Sequence, residues 1–284
     1  MEIISTISEM KSVVRQARIK GQSIGFVPTM GYLHQGHLEL ISRARRENDL
    51  VIVSIFVNPL QFGPTEDYEK YPRDTEADSQ KAESAGCDII FLPEAGEMYP
   101  VGYSSFVEVE GIDQVLCGAS RPGHFKGVAT VVNKLFHIVA PTRAYFGQKD
   151  AQQALLIQKM VSDLSMDVEV IVAPTVREAD GLAMSSRNSY LTHHERQAAS
   201  VLYKSLNAAK ELIAAGERNP QKITGLIFDL LQNEPLANID YVEVVDASTL
   251  KNFEQVLSNR VLIALAVRIG KTRLIDNLIM DIEA

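Results

Sequence analysis

His34, Gln35, Gly36 and His37 form an H-x-G-H tetrad within the stretch PTMGYLHQGH, residues 28–37. A strand-like apolar run precedes it and a helical pattern follows it. At a helix start, unpaired backbone N–H groups and the helix dipole favour negative charge. Gly36 has no side chain, so an adenine or a ribose can lie against its backbone. His34 and His37 are three residues apart and fall on the same side of the first helical turn. Both can donate hydrogen bonds to phosphate oxygens, and histidine changes protonation near neutral pH. Two histidines at that spacing alone are better explained as surface or capping residues. Placed between strand and helix beside Gly36, they point to a nucleotide triphosphate. Zinc ranks low, because no nearby Cys or carboxylate completes a ligand set at normal spacing.

Three other stretches carry groups suited to the same ligand. In MSSR, Met184 to Arg187, the Ser185 and Ser186 hydroxyls and the Arg187 guanidinium suit β- and γ-phosphate oxygens. In FGQKD, 146–150, Lys149 is a point charge for a phosphate and Asp150 is placed like an N-cap. Gln153 lies one turn further on. In FVNPLQFG, 56–63, Asn58 and Gln61 offer amides for the hydroxyl and carboxylate groups of a small polar acid. Alone, each has an ordinary alternative: a polar linker, a solvated lysine, a turn punctuated by Pro59 and Gly63. Gly270-Lys271-Thr272 resembles the end of a P-loop, but the glycine required five residues earlier is Leu265.

These groups need a frame. Ile7, Met10, Val14 and Ala17 recur at helical spacing behind a Thr6/Glu9 capping box, and Gly21 ends that helix. An apolar strand over 24–28 leads into the tetrad, and a helix with Leu38, Ile41 and Ala44 on one face follows it. A second strand runs over 50–57. A proline-bearing loop, 58–74, leads to a helix ending near Gly86 and a third strand over 88–92. Helix 128–139, strand 144–146, helix 151–164 and strand 168–172 follow. Continuous apolar runs suit strands covered on both faces. Their alternation with helices predicts an α/β fold with a doubly wound parallel sheet. Ligands bind such sheets beyond the carboxyl ends of the strands, so the loops after Pro28, Val57, Phe146 and Val172 are expected on one rim. The pattern then changes. The loop READGLAMSSRNSYL precedes helices over 194–215 and 220–231, then strands over 241–245, 260–269 and 273–279, with Gly270–Lys271 as a hairpin turn. We therefore expect one domain over 1–174 and a smaller α+β domain over 175–284.

Composition narrows the classes of function. Lys plus Arg number 28 against 36 Asp plus Glu, a formal net charge of −8, which argues against a broad nucleic-acid surface. A local cationic pocket for a small anion remains compatible with it. The two cysteines, Cys87 and Cys117, are too few for a disulfide framework. The acid-bearing start MEIISTISEM lacks a signal-peptide pattern, and the longest apolar runs, LVIVSIFV and VLIALAV, are too short to span a bilayer as helices. These features predict a soluble, cytoplasmic protein with no membrane or nucleic-acid partner.

Taken together, FVPTMGYLHQGHLELI, VSIFVNPLQFGPTEDYEKYPR, GHFKGVATVV, FGQKDAQQ and LAMSSRNSYL resemble, in order, the signature blocks of the pantothenate synthetase family. That family lies in the H-x-G-H nucleotidyltransferase superfamily, which also includes class I aminoacyl-tRNA synthetases. The resemblance covers nearly the whole chain. It implies a Rossmann-like N-terminal domain, a smaller C-terminal lid and a homodimer. It implies ATP contacts from Met30, Gly31, Tyr32, Leu33, His34, Gln35, Gly36 and His37, from Gly147, Gln148, Lys149 and Asp150, from Val176, and from Met184, Ser185, Ser186 and Arg187. It implies pantoate contacts from Gln61 and Gln153, with β-alanine approaching Gln61, and His37 as proton donor.

The implied reaction joins pantoate to β-alanine through a pantoyl adenylate, consuming ATP, with Mg²⁺ on the phosphates. Charge neutralisation falls to His34, His37, Lys149 and Arg187. A rival enzyme of the same superfamily would stop after nucleotidyl transfer. A small aminoacyl-tRNA synthetase would need a basic tRNA-binding module that an acidic chain does not suggest. A non-catalytic nucleotide-binding protein would not need the intact set of His34, His37, Lys149 and Arg187.

Overall fold

A computed structural model describes residues 1–64 and 66–282. The chain divides into two compact units. The first comprises Met1–Asp113, Arg121–Gln148 and Gln152–Pro174; the second comprises Gln114–Ser120, Lys149–Ala151 and the chain from Thr175 onward.

The first unit is built on a six-stranded sheet of β1 (Glu2–Ile4), β2 (Ile24–Thr29), β3 (Leu50–Ile55), β4 (Ile89–Phe91), β5 (Arg143–Gly147) and β6 (Glu169–Ala173). The spatial order is β1-β4-β3-β2-β5-β6, and every pair is parallel. In β3, Val51 to Ile55 are all buried, the pattern of a strand covered on both faces. The helices are α1 (Ile7–Ile19), α2 (Gln35–Glu47), α3 (Thr75–Ser84) and α4 (Ala95–Met98), then, after a short α5 (Cys117–Ser120) that belongs to the second unit, α6 (His124–Val139) and α7 (Ala151–Asp163). In α1, Met10, Val14 and Ala17 are buried and Thr6 caps the helix by accepting from the Glu9 N–H at 3.3 Å. Gly21, at φ +71°, ends it by donating to the Arg18 carbonyl at 3.0 Å.

The chain runs from β2 outward through β3 to β4, then returns to lay β5 and β6 on the other side of β2. The order of connection therefore reverses between β2 and β5, and the loops leaving their carboxyl ends border the crevice where such sheets bind ligands. The tetrad follows β2. Strand β5 ends at Gly147, and Gln148 opens the 3₁₀ turn that follows.

The second unit centres on an antiparallel sheet of β7 (Ala237–Asp246), β8 (Arg260–Ile269) and β9 (Thr272–Asp281), covered by α8 (His193–Ala198), α9 (Val201–Ala214) and α10 (Pro220–Gln232). Leu202, Leu206, Ile223, Ile227, Ile263 and Leu265 belong to its core. Ile269 pairs with Thr272 across a turn in which Gly270 has φ +57°. The P-loop look-alike is thus a two-residue hairpin.

Three features depart from the sequence expectation. Strand β1 was not expected: it has three residues, of which only Ile4 is buried, and it exists through pairing with β4, far along the chain. The helix expected over 194–215 is two helices. At the break the Ser200 hydroxyl donates to the Gln197 carbonyl at 2.8 Å, and the Leu202 N–H bonds Ala199 rather than the carbonyl four residues back. Helix α6 also starts at His124 rather than 128.

Candidate active site

In the first unit the turn between β2 and α2 is held at every step. The Thr29 hydroxyl donates to the Ser54 carbonyl at 2.8 Å and accepts from the Gly31 N–H at 3.1 Å. Gly31 sits at φ +82° and Tyr32 at φ 52°. A side chain rarely adopts that conformation unaided. Asp78 on α3 supplies the aid: Oδ2 accepts from the Tyr32 N–H at 2.7 Å and Oδ1 from the Leu33 N–H at 2.6 Å. Lys81, one turn along, donates to the Leu33 carbonyl at 2.9 Å. The Asp78 residue is only 1% exposed. Burial pushes its carboxyl above the ordinary value; the amides of Leu33 and Tyr32 and the charge of Lys81 pull against that rise.

His34 is the N-cap of α2. Its Nδ1 accepts from the Gly36 N–H at 3.2 Å, and the His37 Nδ1 accepts from the His34 N–H at 3.3 Å. The ring centroids are 4.0 Å apart. A nitrogen that accepts from a backbone N–H carries no proton, so each neutral ring bears its proton on Nε2. The capping role and a donor role therefore use opposite edges of the same imidazoles. Gln35 and Gly36 fill the first turn of the helix.

Asn58 and Gln61 stand at the carboxyl end of β3 and are both buried. Asn58 Nδ2 donates to the Gln61 Oε1 at 3.2 Å and to the Gly127 carbonyl at 3.1 Å, while its Oδ1 accepts from the Tyr99 hydroxyl at 2.8 Å. Gln61 Nε2 lies 2.9 Å from the Met30 sulfur. The Gln61 carbonyl accepts from the His124 Nδ1 at 2.9 Å. Arg121 reaches that carbonyl at 3.3 Å, approaches the His124 Nε2 at 3.0 Å, and grips Glu66 through two bonds of 2.7 Å. Because Arg121 can only donate and the Gln61 carbonyl can only accept, both contacts are bonds in the tautomer that carries its proton on Nδ1. Gln153 lies half-buried in the first turn of α7.

Gly147 and Gln148 belong to the first unit, while the second carries Lys149, Asp150, Val176 and the segment from Met184 to Arg187. The Lys149 ammonium lies 3.4 Å from the Asp150 carboxylate, and Asn277 on β9 donates to the Lys149 carbonyl at 2.9 Å. The 176–184 segment is a small hairpin: the Met184 N–H bonds the Val176 carbonyl at 3.0 Å and Arg177 bridges Ala183. It runs into a 3₁₀ turn, Ser186–Tyr190, with Ser185 as N-cap accepting from the Arg187 N–H at 3.3 Å. Asn188 ties this turn back to the hairpin through Glu178 at 2.7 Å and the Ala183 carbonyl at 3.1 Å.

Sequence reasoning did not single out Asp78, Lys81, Glu66, Arg121 or His124. Arg121 and His124 flank or open the GHFKG block, and that was their only signal. Asp78 and Lys81 share a helix face, an ordinary pattern until their partners 45 to 48 positions away are known.

Residues 2–279 match the family described as Pantoate-beta-alanine ligase. A pantothenate synthetase of Acetivibrio thermocellus is 58% identical over 282 residues, covering 99% of this chain and 100% of the relative. A crystal structure of the pantothenate synthetase of Thermus thermophilus superposes with a TM-score of 0.93 at 47% identity, covering 98% of this chain and 99% of that one. The pantoate-beta-alanine ligase of Francisella tularensis, solved with beta-gamma ATP and beta-alanine, gives 0.79 at 40% identity over 98% of this chain and 97% of that one. Agreement of sequence and of fold from end to end leaves one assignment: the chain belongs to the pantoate-beta-alanine ligase family.

Proposed function

We propose that this chain condenses (R)-pantoate with β-alanine at the cost of ATP, through a pantoyl adenylate. The observation that carries the site assignment is the tetrad itself. Its two imidazoles cap the start of α2 through Nδ1, in a loop locked by Asp78, and we read their Nε2 edges as the donors for an anion.

In the first step a pantoate carboxylate oxygen attacks the α-phosphorus of ATP, and the bond to the bridging oxygen breaks to release pyrophosphate. The carboxylate is already ionised at neutral pH, so no base is needed. Catalysis comes from alignment and charge neutralisation. We assign phosphate contacts to His34, His37, Lys149 and Arg187, with Ser185 and Ser186 orienting the pyrophosphate and Val176 and Met184 bordering the nucleotide. In the second step the β-alanine amine, having lost its ammonium proton, attacks the acyl carbon; the acyl–oxygen bond breaks and AMP leaves. Gln61 and Gln153 hold pantoate. Asn58 acts by fixing the Gln61 amide, to which it donates at 3.2 Å.

Among the described residues, no group of three or more His, Cys, Asp or Glu is arranged to hold a metal ion. Mg²⁺ carried on phosphate oxygens and water needs few protein ligands, and in this reading the ion arrives with ATP. Such an ion would neutralise charge on the departing pyrophosphate.

The proposal includes a homodimer and a cytoplasmic location, where ATP is drawn. No helix among the described residues is long and apolar enough to cross a membrane. The test is pantoate-dependent exchange of labelled pyrophosphate into ATP, with product identified by mass spectrometry after adding β-alanine. His37→Ala and Lys149→Ala should each lower exchange by about 10²-fold, the scale of losing one transition-state donor. Near-normal exchange in both variants refutes the assignments. Exchange without β-alanine-dependent release of AMP would mark an enzyme that stops at nucleotidyl transfer.

A further inference from the structure

On β9, Leu274, Leu278 and Met280 share a face and pack into the core of the second unit; Asp276 falls on the same face. It is 2% exposed. A carboxylate in that register is costly unless it is fully partnered. Its partner is Arg177, bonded through both guanidinium ends at 2.6 and 2.9 Å. The same guanidinium donates to the Gly181 carbonyl at 3.0 Å and lies 4.3 Å from the centre of the Tyr203 ring. Burial pushes the Asp276 carboxyl up, while Arg177, the Asn277 N–H and the more distant Lys149 charge pull against that rise. Leucines in place of the pair would pack at least as well, because a buried ion pair is a poor source of stability.

Position explains what stability does not. The bidentate fork and the ring contact fix the plane of Arg177, and Arg177 sits in the hairpin whose ends are Val176 and Met184. The next residue on β9, Asn277, donates to the Lys149 carbonyl at 2.9 Å. Two segments distant in sequence, one carrying Lys149 and the other leading into Ser185–Arg187, are thus anchored to adjacent residues of one strand. We infer that Asp276 and Asn277 are positioning residues of the nucleotide site, Asp276 setting the 176–184 hairpin through Arg177 and Asn277 setting Lys149 through its carbonyl. This rests on the assignment of Lys149, Val176 and Met184 to ATP given above.

The test uses the full chain and three variants: R177L/D276L, N277A, and K149A as reference. Each is measured by pantoate-dependent pyrophosphate exchange, by KM for ATP and for pantoate, and by thermal unfolding. R177L/D276L should unfold at the wild-type temperature or above it. Its exchange should fall by about 10²-fold, the effect of misplacing reacting groups by an ångström, with a raised KM for ATP. KM for pantoate should stay within about threefold, since Gln61 and Gln153 belong to the first unit. N277A, which keeps the ion pair, should lose about tenfold in exchange, a single bond's worth. A folded R177L/D276L with exchange within about threefold of wild type overturns the role of Asp276. So does a double variant that fails to fold, because the pair would then be a stability element. N277A within about threefold of wild type, when K149A has lost exchange, overturns the role of Asn277. Near-normal exchange in K149A instead sinks the nucleotide-site assignment beneath both.

Discussion

Asp78→Asn perturbs the tetrad without touching it. The wild-type carboxylate accepts two backbone bonds, from Tyr32 at 2.7 Å and Leu33 at 2.6 Å. Hydrogen bonds to a charged acceptor contribute about 1.5–3 kcal/mol each. Asparagine keeps one oxygen and turns the other into an NH₂ group facing a backbone N–H, so one bond is lost and the other becomes neutral, worth about 1 kcal/mol. Against this, the neutral amide escapes part of the cost of burying a charge, a cost visible in the upward push on the Asp78 carboxyl. The balance is a local loss of about 2 kcal/mol, or about 30-fold in the opening equilibrium of the loop. That is enough to release Tyr32 from its φ of 52°. Hydrogen exchange of the Tyr32 and Leu33 amides reads this directly, because it reports local opening rather than global unfolding. We expect both amides to exchange about 30-fold faster, and pyrophosphate exchange to fall by roughly 10- to 100-fold as His34 and His37 lose their frame. Unchanged protection of both amides would refute the clamp, and lost protection with full activity would refute its bearing on catalysis.

The Glu66–Arg121 clasp should have a pH signature of opposite sign to Asp78. Burial raises the Glu66 carboxyl, but the two-point grip of Arg121 outweighs it and holds it down to about 2, from 4.5. A depressed carboxylate contributes stability above its unfolded value and loses it as pH falls through the folded one. That span is worth at most about 3 kcal/mol, and with side chains 17% and 25% exposed we expect about 1–2 kcal/mol. The stability gap between wild type and Glu66→Gln should therefore be full at neutral pH and close between pH 4.5 and about 2 in denaturant titrations; a gap independent of pH would contradict it. For Asp78, whose carboxyl is raised, stability should instead decline as pH rises past the ordinary carboxylate value, so the Asp78→Asn difference should shrink rather than grow towards neutral pH. Gly127→Ala would put a Cβ 2.3 Å from the Leu60 carbonyl oxygen, forcing the backbone at Gln61 to move. It should cost about 1–3 kcal/mol in urea titrations and raise KM for pantoate, and an unaffected KM would show that Gln61 is not held from that side.

The alternation of apolar runs with helical periodicity was enough to read β2 through β6, because burial on both faces imprints itself on consecutive residues. The tetrad was legible for a similar reason: its position between a strand and a helix is a property of contiguous chain. So was the family, since its blocks are contiguous too.

Tertiary structure decided everything that depends on partners far along the chain. Strand β1 needs β4. Asp78 is an unremarked helix residue until Tyr32 and Leu33 stand against it, 46 and 45 positions away. Arg121 and His124 become the support of Gln61 only across 60 and 63 positions, and Asp276 finds Arg177 across 99. Local periodicity reports which face of an element is buried, but not which polar group waits on the other side. A hydrogen bond between distant residues leaves no period in the sequence, so the side chains proposed to carry the chemistry could be named from the chain, while the groups that hold them in place could be read only from the fold.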